Sequence, residues 1–189
     1  MPQPILGALV YDTGSGGAAD ILLAEATRTL TRRGFRLAGA IQHNTGGDDG
    51  CLCDMALEDL TSGSLISISE KRGPLARGCR LDTAALEHVV GLATGAVEGG
   101  ADMLIVNKFG KREAEGHGLR QVIEAAVGRG IPVLVAVSAG NLAAWNDFTG
   151  GLDTRLPLDP QYVATWCADV LARPGASAPT RPDKAASAI

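Results

Sequence analysis

Two segments of the chain combine residue types that could bind or process an anionic ligand. The first is a glycine-rich stretch made of Asp12, Thr13, Gly14, Ser15, Gly16 and Gly17. The second is a polar segment from 107 to 118, whose chemically capable side chains are Asn107, Lys108, Lys111, Glu113 and Glu115. Glycine-rich backbone at the start of a helix presents N–H groups to a phosphate or similar oxyanion, and lysines add positive charge. The alternative is that both segments are solvated turns without a ligand.

A basic loop from Lys71 to Arg80 could bring further cations to such a site. It contains Arg77 and Arg80 and is too rich in glycine and proline to be helical. The fork of N–H donors on arginine suits phosphate, sulfate, molybdate or carboxylate equally well, so the loop by itself names no ligand. Simple solvation of its arginines is again the alternative.

The glycine-rich stretch lies between a predicted strand and a predicted helix. Residues 5–11 are apolar enough for a buried strand, and residues 18–33 carry apolar side chains at helical spacing. Only Gly17 fits the phosphate-loop pattern G-x-x-x-x-G-K-[ST], because the first glycine, the lysine and the hydroxyl residue are replaced by Asp12, Ala18 and Ala19. The dinucleotide pattern G-x-G-x-x-[GA] does fit, yet the next strand ends without the acidic residue that holds a ribose.

Strands alternate with helices along the rest of the chain. The polar segment follows the apolar run Met103 to Val106, and Asp82 is placed to cap a helix over 83–98. We predict other helices over 119–129, 142–148 and 161–172, strands over 35–41 and 131–137, and a polar loop over 42–50. Residues 51–60 and 64–70 read as a hairpin.

This alternation predicts an α/β fold with a doubly wound, mostly parallel sheet and an inserted β-hairpin. We expect a single domain over residues 1–172 and a disordered tail over residues 173–189, which are rich in proline and small polar residues. Ligands of such sheets bind beyond the carboxyl ends of the strands. The glycine-rich stretch and the polar segment should therefore meet at one edge.

Composition and charge exclude several broad classes of function. The net charge of -4 over 189 residues argues against a general affinity for nucleic acid or an anionic membrane surface. No apolar run approaches the roughly 20 residues of a membrane span, so we expect a cytoplasmic protein without membrane insertion. Cys51, Cys53 and Cys79 could bind a soft metal, but structural zinc sites use four ligands and no second paired motif is present. We therefore expect no metal centre.

Four motifs carry a resemblance to a known family. They are Cys53-Asp54-Met55, Leu57-Glu58-Asp59-Leu60, residues 76–82 (Ala-Arg-Gly-Cys-Arg-Leu-Asp) and, above all, residues 107–120, which begin Asn107-Lys108-Phe109-Gly110-Lys111. These motifs resemble a bacterial domain-of-unknown-function family, family 2478, whose members are labelled nucleoside triphosphatases and are associated with molybdenum transport genes. The resemblance runs from the first strand to about Trp166. It implies a three-layer sandwich like that of the phosphate-loop NTPases, and a role in molybdate handling.

The resemblance frames a first hypothesis, a nucleotide-binding protein with a degenerate phosphate loop that is at most a weak nucleoside triphosphatase. The amides of Gly14 to Gly17 would hold phosphate, and Lys108 or Lys111 would replace the missing loop lysine. Asp12 would hold Mg²⁺ with the nucleotide, or Glu113 or Glu115 would orient a water molecule. In small phosphate-loop NTPases an Asp-Glu pair ends the strand that here ends in Asn107-Lys108.

Two other hypotheses need no catalysis. The second is a carrier or sensor that binds molybdate or tungstate, tetrahedral mimics of phosphate, through the same amides with Arg77, Arg80 and Lys108. It requires neither Mg²⁺ nor a catalytic base. The third is a structural partner of the transport machinery that binds no small ligand. A small α/β domain can in addition form a homodimer.

Overall fold

A computed structural model describes residues 5–12, 14–45, 54–70 and 80–173. Its strands, in chain order, are β1 (Leu6–Tyr11), β2 (Leu37–Thr45), β3 (Asp54–Asp59), β4 (Leu65–Ser67), β5 (Ser69–Glu70), β6 (Arg80–Leu81), β7 (Met103–Phe109), β8 (Val133–Ser138) and β9 (Thr154–Leu156). Its helices are α1 (Gly16–Arg32), α2 (Thr83–Glu98), α3 (Lys111–Ala114), α4 (Arg120–Gly128), α5 (Leu142–Thr149) and α6 (Pro160–Leu171). A short 3₁₀ turn, Ala139–Asn141, leads into α5.

Seven of these strands form one mixed sheet in the order β4-β3-β2-β7-β8-β1-β9. The five strands from β2 to β9 in that order run parallel, and β3 and β4 extend the sheet as an antiparallel hairpin. β5 and β6 pair separately. The predicted α/β class, the mostly parallel sheet and the inserted hairpin are therefore confirmed.

Helices cover both faces of the sheet and make it the middle of three layers. α1 and α6 pack on one face, where Leu23 and Val170 are buried. α2, α4 and α5 pack on the other face around Val97, Ile123 and Trp145. The central strands β7 and β8 are covered on both sides, which explains their nearly continuous apolar sequences. No helix within the described ranges is long and apolar enough to span a membrane.

The structure corrects the predicted boundaries around two loops. Residues 42–45, predicted as the start of a loop, continue β2 because β3 pairs with them and satisfies their backbone groups. β7 runs past Val106 to Phe109 with an irregular register against β8, and the following segment includes the short helix α3. β9 was not predicted, since a three-residue edge strand carries too little pattern to recognise.

The parallel strands bring the predicted site segments to one edge of the sheet. The connection from β1 to β2 crosses toward one side of the sheet, whereas the connection from β8 to β9 crosses toward the other side. The direction in which successive strands are added therefore changes between the neighbouring strands β8 and β1. Such a switch point opens a crevice beyond the carboxyl ends of the strands. The turn after β1 and the end of β7 both lie on that edge.

Candidate functional site

The turn after β1 leads directly into the amino end of α1. Ser15, the residue preceding the helix, donates its backbone N–H to the Asp12 carbonyl at 2.9 Å, and its side chain makes no capping hydrogen bond. Gly14 has a φ of +97°, in the region that favours glycine, and a Cβ atom at Gly14 or Gly17 would meet nothing within 4 Å. Among the described residues, the space beside Gly14 and Gly17 is therefore open, and Ser15 provides no side-chain cap to this 17-residue helix.

Asn107 ties the end of β7 to both β2 and α1. Its side chain is buried, and its Oδ1 atom accepts a hydrogen bond from the Gln42 backbone N–H at 2.9 Å. Its Nδ2 atom lies 3.4 Å from Asp20 Oδ1 and 3.4 Å from Gln42 Oε1. The Asn107 side chain thus links β7, β2 and α1 through its own donor and acceptor groups.

Lys108 extends from β7 toward the first turns of α1. Its Nζ atom lies 3.4 Å from Asp20 Oδ2 and 3.5 Å from Gln42 Oε1, and its side chain is 35% exposed. Asp20 is the fifth residue of α1, about 6 Å along the helix axis from Gly16 at 1.5 Å per residue. The ammonium group therefore lies beside the first turns of α1, although it comes from a different element.

Tyr11 borders the same cluster from the end of β1. A Cβ atom on Gly16 would lie 3.4 Å from the Tyr11 ring, so the ring packs against the start of α1. Burial, and then the negative charge of Asp20, raises the pKa of the Tyr11 hydroxyl. We call Tyr11, Asp20, Gln42, Asn107 and Lys108 the edge cluster.

The other charged residues of the polar segment have different partners. Lys111 is 86% exposed and pairs with Glu115 at 3.7 Å, an arrangement typical of a solvated helix surface. Glu113 is buried, and its two carboxylate oxygens accept hydrogen bonds from Gly110 N at 2.9 Å and Leu119 N at 3.2 Å. Glu113 therefore holds both ends of the loop around α3.

The edge cluster provides a poor ligand set for Mg²⁺, the ion that phosphate-loop NTPases generally use with nucleotide. Those enzymes hold it through a loop hydroxyl and a strand-end aspartate. Here Ala19 and Asn107 occupy these positions, and the Asp20 carboxylate faces the Lys108 ammonium group. Within the described part of the chain, no group of three or more histidine, cysteine, aspartate or glutamate side chains could hold a metal. The described residues of the edge cluster do not fit the ion.

Sequence reasoning identified only part of this arrangement. It singled out Asn107 and Lys108 but missed their partners Asp20 and Gln42, which are distant in sequence, and it gave Tyr11 no role. The predicted Thr13, Arg77 and three cysteines Cys51, Cys53 and Cys79 lie outside the described residues, as do residues 174–189 of the predicted tail. Arg80 is described only through its backbone, which pairs with Glu70.

Comparisons with known proteins agree with this architecture. The family described as "Protein of unknown function (DUF2478)" matches residues 6–166. Over 154 residues the chain is 38% identical to the "Molybdenum import ATP-binding protein ModC 2" of Bradyrhizobium diazoefficiens, a match that covers 82% of this chain and 17% of that protein. Because the match covers 17% of that protein, this chain spans about a sixth of the length of the curated relative.

A solved structure supports the fold at low sequence identity. The crystal structure of THEP1 from the hyperthermophile Aquifex aeolicus superposes with a TM-score of 0.57 and 15% identity, and the match covers 88% of this chain and 97% of that one. The shared architecture is a three-layer α/β sandwich with a mostly parallel sheet. This likeness concerns the fold alone.

Proposed function

The chain belongs to the family described as "Protein of unknown function (DUF2478)", and we propose that it binds the phosphate groups of a nucleotide at the edge cluster without hydrolysing them. The fold supports a ligand at this edge, and the relative's name, which includes "ATP-binding", supports a nucleotide. This function would place the protein in the cytoplasm, where ATP and GTP are available to it.

One observation carries the proposal: the Lys108 ammonium group lies 3.4 Å from Asp20 in the first turns of α1, whose preceding residue Ser15 provides no side-chain cap. The helix dipole contributes a partial positive charge there, and its first N–H groups point out of the helix. Lys108 has three N–H donors, of which Asp20 and Gln42 accept two among the described contacts. The remaining donor can reach a phosphate oxygen.

The absence of hydrolysis follows from the partners of the acidic side chains. Glu113 uses both oxygens on backbone N–H groups, so its carboxylate has little capacity left for a water molecule. Glu115 pairs with Lys111 on the exposed surface. A strand-end aspartate is replaced by Asn107, and an amide is too weak a base to accept a proton from water. We therefore assign the site a binding role.

A second candidate is a carrier or sensor of molybdate or tungstate. The words "Molybdenum import" in the relative's name favour it, and a tetrahedral oxyanion could use the same amides and the same lysine as a phosphate group. Arg77 and Arg80 would then complete the charge around the ion, as predicted from the sequence. A place in molybdenum metabolism fits either candidate.

Calorimetric titration of the purified protein with ATP, GTP and molybdate tests the two candidates. Nucleotide binding is the expected result. Lys108→Met should weaken it by about 10-fold or more, because one charge-assisted hydrogen bond contributes about 1.5–3 kcal/mol. Lys111→Met, which removes an equal charge from the exposed surface, is the matched control and should change affinity by less than about twofold.

Other results would redirect the assignment. Binding of molybdate with no binding of nucleotide would favour the carrier. Equal losses from Lys108→Met and Lys111→Met would show that the affinity depends on net charge and would remove the edge cluster from the site. If none of the three ligands bound, a role as a protein partner would become the better account.

A further inference from the structure

The geometry points to a site in which the Lys108 ammonium group replaces the divalent cation, so that the anionic ligand binds in its metal-free form. This inference rests on the proposed function and narrows its ligand class to the free nucleotide polyanion or a bare tetrahedral oxyanion. A phosphate chain whose charge is already neutralised by Mg²⁺ would gain less binding free energy from the Lys108 ammonium group.

At the two positions where phosphate-loop NTPases carry ligands for the metal, this chain has residues that do not bind a cation. The loop hydroxyl is replaced by Ala19, which is fully buried and has no oxygen to offer. The strand-end acid is replaced by Asn107, whose Oδ1 atom already accepts a hydrogen bond from the Gln42 N–H at 2.9 Å. Neither position supplies an anionic oxygen to a cation.

Asp20, the one carboxylate in the edge cluster, already has partners at both of its oxygens. Asp20 is only 15% exposed at its side chain, and one of its oxygens lies 3.4 Å from Lys108 Nζ while the other lies 3.4 Å from Asn107 Nδ2. Both oxygens therefore already face N–H donors. A divalent cation beside Asp20 would have to displace or repel the ammonium group.

Asp20 also positions the Lys108 side chain. A lysine side chain has four flexible carbons, and the Asp20 and Gln42 contacts restrict the ammonium group to the side of α1. Asp20 offsets part of the ammonium charge, so the attraction for an anion comes from the remaining charge and N–H donor of Lys108 together with the helix amino end. Asp20 is thus a positioning residue and not a ligand.

The test compares the affinity for ATP in EDTA with the affinity in excess Mg²⁺, on the 189-residue chain. The inference predicts that ATP binds in EDTA at least as tightly as in Mg²⁺. It also predicts that Lys108→Met loses about 10-fold or more of the affinity measured in EDTA. Lys111→Met, measured under the same two conditions, is the control for a general loss of positive charge.

A second readout follows metal directly and needs no nucleotide. Free Mn²⁺, measured by electron paramagnetic resonance, should not decrease when wild-type protein is added. The double variant Asn107→Asp/Lys108→Glu brings two new carboxylates next to Asp20 and should gain Mn²⁺ binding, because three carboxylates suit a hard divalent ion. If that variant did not fold, the wild-type comparison in EDTA and Mg²⁺ would still decide the question.

The outcomes separate this inference from the function on which it rests. ATP binding that required Mg²⁺, or Mn²⁺ binding by the wild-type protein, would overturn the inference and leave nucleotide binding in place. A folded double variant without Mn²⁺ binding would also count against it. No ATP binding in either condition would overturn the proposed function itself.

Discussion

Replacing Glu113 with glutamine tests whether this carboxylate holds the loop after β7 or takes part in chemistry. The residue is 7% exposed, and its two oxygens accept hydrogen bonds from Gly110 N at 2.9 Å and Leu119 N at 3.2 Å. Gly118 packs directly against it, since a Cβ atom there would lie 2.3 Å from Glu113 Oε1. The contacts on both oxygens predict that the variant loses stability.

The magnitude follows from the donors that glutamine cannot satisfy. Its single side-chain oxygen can accept from one backbone N–H, while its NH₂ group faces the other. Losing one charge-assisted acceptor and leaving one buried N–H unpaired costs about 1–3 kcal/mol, and we take about 2. For a chain of this size 1 kcal/mol lowers Tm by about 2–4 °C, so Glu113→Gln should lower it by about 4–8 °C.

Thermal unfolding followed by far-UV circular dichroism measures this change. Glu115→Gln is the matched control, because Glu115 is 55% exposed and pairs with the exposed Lys111 at 3.7 Å. An exposed i,i+4 pair of this kind contributes about 0.3–0.5 kcal/mol, so the control should melt within about 2 °C of the wild type. A Glu113→Gln variant that melted as late as the Glu115→Gln control would refute the role of Glu113 in holding the loop.

Three further predictions concern stability and reactivity. In urea unfolding, Gly39→Ala should destabilise the fold by about 3 kcal/mol or more, because Gly39 has a φ of +99° and the new Cβ would lie 1.9 Å from a carbonyl oxygen of β7. Gly91 lies on an open face of α2, so the control Gly91→Ala should stabilise the fold by about 0.5–1 kcal/mol. Burial raises the pKa of the Cys167 thiol to about 12, so at pH 8 only about one thiol in 10⁴ is ionised; peptide mapping should find Cys167 alkylated in urea and unmodified in the native state. Asp102→Ala removes a fully buried carboxylate that accepts a hydrogen bond from the Arg36 backbone N–H at 2.7 Å, so it should lower the free energy of unfolding by about 2–4 kcal/mol. Asp169 is exposed, and the control Asp169→Ala should change that free energy by less than about 0.5 kcal/mol. A similar loss from both aspartate variants would contradict the argument from burial.

The elements that the sequence predicted well are those with local signals. α2 spans Thr83–Glu98 as predicted, and Asp82 caps it by accepting hydrogen bonds from Ala84 N at 2.9 Å and Ala85 N at 3.0 Å. The cap, the apolar stripe and the end of this helix all lie within one short segment. Such an element needs no knowledge of the rest of the fold.

The elements that the sequence missed depend on distant partners. The end of β2 is a strand because β3 pairs with it, with Thr45 opposite Asp54. β9 joins the sheet through three residues that pair with β1. Neither segment has a periodic pattern long enough to identify it alone. Tertiary pairing therefore decided what local propensity could not.

The candidate site was predictable in its location but not in its contacts. Apolar runs that end in glycine or polar residues predicted that the glycine-rich stretch and Lys108 lie at one edge of the sheet, and the structure has both there. The sequence could not choose between Lys108 and Lys111, since both follow the same strand. The structure separates them, because Lys108 contacts Asp20 on α1 whereas Lys111 is 86% exposed.

The most direct test of the central claim is to map the ATP site by amide NMR of the isotopically labelled protein. The account predicts that ATP shifts the backbone resonances of Gly14, Gly16 and Gly17, together with those of Lys108. Lys108→Met should reduce these shifts at the same ATP concentration. Shifts confined to another surface, such as the apolar groove lined by Ile123, Val127 and Leu152, would contradict the assignment of the edge cluster as the binding site.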